Sequence, residues 1–132
     1  MPAELVPARP ISDPDGCRAI LPARREGWTQ LAMGEWELSA ATPGHGDCHP
    51  HDEVNIVVAG LLVVECDGER VEAGPGDVVR VPAGRPAFYS APEYARMYYV
   101  YGANPEGLPA TVFTDRSLVS GGGGVTAGPT CS

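Results

Sequence analysis

Four side chains able to hold a metal or carry a proton stand at every second position of one short run: Asp47, His49, His51 and Glu53, within Asp47-Cys48-His49-Pro50-His51-Asp52-Glu53. In an extended backbone alternate residues project from one face, so this spacing lets all four point into the same cavity. Two chemistries follow. As ligands, two imidazoles and a carboxylate form an open set for one divalent zinc, iron, manganese or nickel ion, leaving positions for water or substrate. In that arrangement His49 and Glu53 are the core ligands, and Asp47 or His51 supplies the third. Without a metal, burial raises a carboxyl pKa and a neighbouring imidazolium lowers it. Glu53 and His49 can then divide base and acid roles near neutrality, with His51 beside them. The residue types favour neither chemistry over the other.

Other candidates lie further along the chain. Tyr89 and Tyr99, with Tyr98 and Tyr101 close by, offer phenols that orient a substrate oxygen, and Arg85 and Arg96 offer guanidinium forks for a substrate carboxylate. The blander reading makes the tyrosines barrel core, with hydroxyls at the rim. His51 can equally be a solvated His-Pro-His turn. His45 shares the parity of the run, but the flanking Gly44 and Gly46 suggest a loop residue and not a ligand.

Short strands must carry these side chains. Seventeen glycines and fourteen prolines cut the chain into brief runs, which alternate or are rich in β-branched and aromatic residues, with no 3.6-residue period. The spacing predicts strands within Trp28 to Ala41, with Trp36 and Leu38 on one face and Glu35 and Glu37 on the other. Further strands are expected over Glu53 to Ala59, Leu61 to Cys66, Glu69 to Ala73, Val78 to Pro82, Pro86 to Ser90, Arg96 to Tyr101 and Thr111 to Phe113. The pair Asp67-Gly68 favours a type I′ hairpin turn. An all-β sandwich or closed barrel over residues 28–118 is the expectation. It is flanked by a proline-rich irregular arm over 1–27 and a glycine-rich flexible tail over 119–132.

The bulk properties narrow the function. A length of 132 residues suits a single domain. A formal charge of −8 opposes a nucleic-acid surface, which needs clustered positive charge. All nine basic residues are arginine, so Schiff-base chemistry on a lysine amine is excluded. No apolar run suits a membrane helix, and no apolar leader follows the start, so a cytoplasmic location is expected. Cys17, Cys48, Cys66 and Cys131 form no C-x-x-C pair and read as free thiols.

The motif spacing resembles the cupin family, whose first motif runs G-x5-H-x-H-x3or4-E-x6-G and whose second runs G-x5-P-x-G-x2-H-x3-N. Glu53, six residues and Gly60 match the end of the first; Gly76, five residues, Pro82, Ala83 and Gly84 match the start of the second. Counting back from Glu53 puts His49 at the family's second histidine and Asp47 at its first, with His51 as an extra group. Taking His49 and His51 as the pair would instead put Asn55 at the glutamate position, which fits Gly60 less well. Ala87 stands where the second motif has a histidine and Ala91 where it has an asparagine, so the usual three-histidine, one-glutamate shell is incomplete. The segment Ala83 to Tyr101 is also similar to cupins of the ethanolamine-utilisation type.

The resemblance implies a single-domain jelly-roll β-barrel, a small-molecule substrate and a homodimer, with no nucleic-acid or membrane partner. It implies isomerase, cyclase, dehydratase or lyase chemistry on a carbonyl or polyketide-like substrate. The alternatives are an iron-dependent dioxygenase and a non-catalytic sensor that binds a small molecule.

Overall fold

The computed structural model describes residues 3, 5–12, 14–21, 30–41 and 44–119. Ten strands carry the fold: β1 (Cys17–Leu21), β2 (Ala32–Ser39), β3 (His45–Cys48), β4 (Glu53–Gly60), β5 (Leu62–Cys66), β6 (Glu69–Ala73), β7 (Val78–Val81), β8 (Ala87–Ser90), β9 (Tyr94–Tyr101) and β10 (Thr111–Phe113). They form two five-stranded sheets, in the orders β1-β2-β9-β4-β7 and β10-β3-β8-β5-β6, with every pairing antiparallel. Consecutive strands repeatedly leave one sheet for the other, the jelly-roll arrangement that lets two sheets close over one core. Among the described residues the one helical piece is a 3-10 turn, Arg116–Leu118, begun by Asp115, which accepts a hydrogen bond from the Ser117 amide.

The sheets face each other across a core of Leu38, Val57, Leu62, Val64, Ala73, Val81, Ala87, Tyr89, Ala91, Ala95 and Met97. Strict alternation puts these residues inward, while Glu35, Glu37, Arg96 and Tyr98 fall on the opposite parity of β2 and β9. Turn chemistry fixes the register. Asp67 and Gly68 both take positive φ, 54° and 76°, as a type I′ turn requires. Gly60 ends β4 at φ 76°, and any β-carbon there would lie 1.9 Å from the Tyr94 carbonyl oxygen.

Two expectations change. Residues 17–21, placed in an irregular arm, form a strand: β1 pairs with β2 along Cys17 to Leu21. The stretch ahead of β1 touches it at Pro7, whose carbonyl accepts from the Arg18 guanidinium at 3.4 Å. Cys48 is disulfide-bonded, whereas Cys17 and Cys66 are in no disulfide. The absence of a C-x-x-C pair tests only local pairing, and a bridge between distant segments needs no local spacing. The tail from Ser120 onward and the strand start near Trp28 lie outside the described residues. No helix among the described residues is long and apolar enough to cross a membrane.

Candidate functional site

The four-residue run is not one continuous strand. Asp47 lies on β3 and Glu53 opens β4 in the other sheet, so the chain crosses from sheet to sheet through residues 49–52. This crossing, and not alternation alone, brings the side chains together. The connecting segment is held at several points. The Gly84 amide donates to the His49 carbonyl at 2.8 Å, and the Gly102 amide to the Asp52 carbonyl at 2.8 Å. The Asp52 carboxylate accepts from the Ala83 amide at 2.9 Å and from the Arg80 guanidinium at 2.8 Å.

Three of the four groups converge. His49 Nε2 stands 3.1 Å from Asp47 Oδ2 and 3.2 Å from Glu53 Oε2. One ligand atom from each of Asp47, His49 and Glu53 lies within 4.8 Å of the others. The His49 side chain is only 10% exposed, yet both its ring nitrogens lack a partner in hydrogen-bond geometry. Burial works against charge on this imidazole, but Asp47 and Glu53 outweigh it and push its pKa up to about 10. Burial likewise opposes ionisation of Asp47, and His45 and His49 more than offset it, leaving that carboxyl below its usual value.

His51 is set apart. It is buried, its Nδ1 donates to the Asp52 carbonyl at 3.0 Å, and its ring lies against those of His49 and Tyr101 at 4.7 and 4.6 Å between centroids. Burial, the largest influence, contributes to a pKa below the usual histidine value. It therefore packs behind the three converging groups, outside the lining of the cavity.

Glu53 is oriented by hydrogen bonds that the sequence did not predict. Its Oε1 accepts from Asn55 Nδ2 at 3.1 Å and from the Tyr89 hydroxyl, while Asn55 Oδ1 accepts from Trp36 Nε1 at 2.7 Å. With Oε1 so occupied, Oε2 is turned toward His49. Tyr89, expected to meet substrate, is instead fully buried in this chain of hydrogen bonds. Burial, then the charges of Glu53 and Asp47, keeps its phenol well above the ordinary pKa, so it stays a donor.

A cavity of about 380 Å³ opens over the site, lined by Trp36, His45, Asp47, His49, Glu53 and Tyr99, with Asp15, Cys17, Leu38, Gly44, Tyr101 and Val112 completing it. His45 corrects the loop expectation. It sits on β3, and its Nε2 is 3.0 Å from Asp47 Oδ2. The glycines on either side do not mark a loop; they make room, since a β-carbon at Gly44 or Gly46 would run into the ring of Phe88 or Phe113. Its shared parity with Asp47 and His49 was the usable signal. Tyr99 lines the cavity, its ring stacked on Tyr101 at 4.7 Å.

The two arginines lie elsewhere. Arg85 forks onto Asp67 at 2.6 and 3.0 Å, beside the β5–β6 turn. Arg96 lies on the other face of β9 and binds the fully buried Glu35 carboxylate, which Arg18 also contacts at 3.3 Å. Parity explains Arg96: it alternates with Ala95 and Met97, which face the core. Arg85 follows the β7 turn, where a nearer carboxylate claims it.

Two antiparallel sheets in jelly-roll order, with a histidine and acidic residues at the cavity, define a cupin class of protein. The cupin domain model matches residues 35–101, and this chain belongs to the cupin family. It is similar to the acetate kinase EutQ of Clostridioides difficile strain 630, 38% identical over 50 residues that cover 38% of this chain and 32% of the relative. The matched stretch thus spans about a third of that curated relative's length. Among solved structures, a putative ethanolamine utilization protein Q of Salmonella typhimurium is 30% identical with a TM-score of 0.52, over 58% of this chain and 61% of that one. A salicylate 1,2-dioxygenase variant of Pseudoaminobacter salicylatoxidans has a TM-score of 0.62 at 19% identity, over 79% of this chain and 32% of that one, a likeness of fold alone.

Proposed function

We propose that this protein is a small-molecule cupin enzyme that holds one divalent metal ion on Asp47, His49 and Glu53. The observation that carries the reading is the orphaned His49 Nε2. It is buried and faces two carboxylate oxygens at 3.1 and 3.2 Å without hydrogen-bond geometry to either, as expected of ligand atoms aimed at a common centre and not at each other. One imidazole and two carboxylates suit zinc, iron, manganese or nickel. Bound there, such an ion supplies Lewis-acid polarisation of a substrate oxygen. The chain's own residues do the rest. Asn55 and Tyr89 hold Glu53 in place, Tyr99 and Trp36 wall the space where substrate lies, and the β3–β4 crossing keeps His49 in register. Isomerase, cyclase, dehydratase or lyase chemistry on a carbonyl compound fits this arrangement, and pairing of two copies, usual among cupins, belongs to the same proposal.

The second reading needs no metal. His49 lies within ion-pair distance of both carboxylates, an arrangement that also suits an acid–base pair with Glu53 as base and His49 as acid. Elemental analysis of protein purified without added metal or chelator separates the two. About one equivalent of a transition metal per chain is expected, falling to background in His49→Ala and Glu53→Gln variants that remain folded. A wild-type protein that stays metal-free after incubation with each candidate ion would leave the acid–base reading standing.

A further inference from the structure

The charge of the cavity points to its ligand. Three carboxylates, Asp15, Asp47 and Glu53, line it together with two imidazoles, His45 and His49, and among the described residues no arginine is in the lining. The chain has no lysine. Six arginines are engaged with carboxylates elsewhere: Arg18 and Arg96 with Glu35, Arg70 with Glu72, Arg80 with Asp52, Arg85 with Asp67 and Arg116 with Glu65. The remaining walls are aromatic and apolar: Trp36, Tyr99, Tyr101, Leu38 and Val112.

Such a lining rejects anions and favours cations. A carboxylate or phosphate entering it meets like charge and, among the described residues, finds no guanidinium or ammonium to receive it. An organic cation meets ring faces, whose quadrupoles attract positive charge, and a carboxylate at the exposed Asp15. The half-enclosed volume of about 380 Å³ admits a small molecule, not a polymer or a nucleotide's phosphate chain with its counter-ions. His49, whose buried ring nitrogens lack hydrogen-bond partners, lines the same cavity.

We infer that the cavity selects a small organic cation, a substituted or quaternary ammonium compound, over neutral and anionic molecules of the same size. The inference deepens the reading of the Asp47, His49 and Glu53 cluster as a substrate site by naming the substrate's charge class.

Isothermal titration of the full chain with matched probes tests it: choline, its uncharged carbon isostere 3,3-dimethylbutan-1-ol, acetate and inorganic phosphate. Choline is expected to bind at least about tenfold more tightly than the isostere, with no heat from either anion. Asp15→Asn, a change at an exposed side chain, and Trp36→Leu should each reduce that preference several-fold. If Trp36→Leu does not fold, Asp15→Asn alone decides the contribution of the lining. Equal binding of choline and its isostere, tighter binding of acetate or phosphate than of choline, or no binding of choline at all would overturn the inference. Metal content measured on the same preparation keeps the two readings apart. Metal-free protein that still prefers choline retains the charge selection and loses the metal, and metal-loaded protein without that preference does the reverse.

Discussion

Glu53 is the residue on which the site turns, because each of its carboxylate oxygens has a different task. Oε1 is held by Asn55 and Tyr89 from inside the barrel, and Oε2 faces His49. A Tyr89→Phe variant removes one donor and leaves the ring in the core. Under the metal reading, affinity for the ion should fall about ten- to a hundredfold, as is usual when a group that orients a ligand is lost. Stability should fall by about 1–3 kcal/mol, the usual cost of losing a buried hydrogen bond to a charged acceptor. Titration with zinc or nickel against a competing chelator, beside urea unfolding, measures both. Unchanged metal affinity would show that Tyr89 does not position Glu53. The sequence made His49 and Glu53 legible through alternation and motif spacing. It left Asn55 and Trp36 silent, since their hydrogen bonds cross from β2 to β4 and depend on a register that no local pattern encodes. For the same reason Arg96 read as a ligand-binding residue, although its neighbours' apolar alternation already put it on the outer face.

At the scale of elements, two devices set the site's geometry: the glycine that ends β4 and the segment that joins β3 to β4. Gly60 sits at positive φ with the Tyr94 carbonyl where a side chain would be. Gly60→Ala should therefore cost more than the ~1 kcal/mol of an unstrained change, because the backbone of β9 must move, and a fall in thermal midpoint of several degrees is expected. The glycine's place in the motif was visible in the sequence, whereas its clash with β9 required the fold.

The joining segment is latched by Asp52. Arg80 first, and the Ala83 amide next, hold its carboxyl below the ordinary value of 3.8. A depressed folded pKa means the contribution is complete above the ordinary value and fades as pH falls through the lower, folded one. Both partners are well exposed, so Asp52→Asn should cost no more than about 1 kcal/mol at neutral pH. The denaturation midpoints of the variant and wild type should draw together as the solution is acidified below that ordinary value. A gap that widens in acid would contradict the latch. Strand existence was readable from alternation and turn residues, but β1 was hidden in a proline-rich stretch, because its pairing with β2 is long-range and its own pattern is short.

Across the whole molecule, the interior divides between an apolar core and a polar cavity, and Trp36 belongs to both. Its ring packs against the buried cluster and also lines the cavity. Leu62 belongs to the cluster, 0% exposed on β5, and no member of that cluster is a candidate metal ligand. Truncating it should leave an unfilled hole between the sheets and destabilise the fold by about 2–5 kcal/mol, the range for a buried leucine cut to alanine. The three-ligand cluster hangs on β3, β4 and their junction, and the hydrogen bonds that orient it come from β2, β4 and β8. Loss of packing at β5 therefore leaves those contacts in place in molecules that remain folded. Leu62→Ala is expected to unfold at lower urea yet bind metal with the same stoichiometry and, below its unfolding transition, the same affinity. If metal affinity fell in step with stability, the core and the site would be one cooperative structure, and the division of the interior drawn from burial would be wrong.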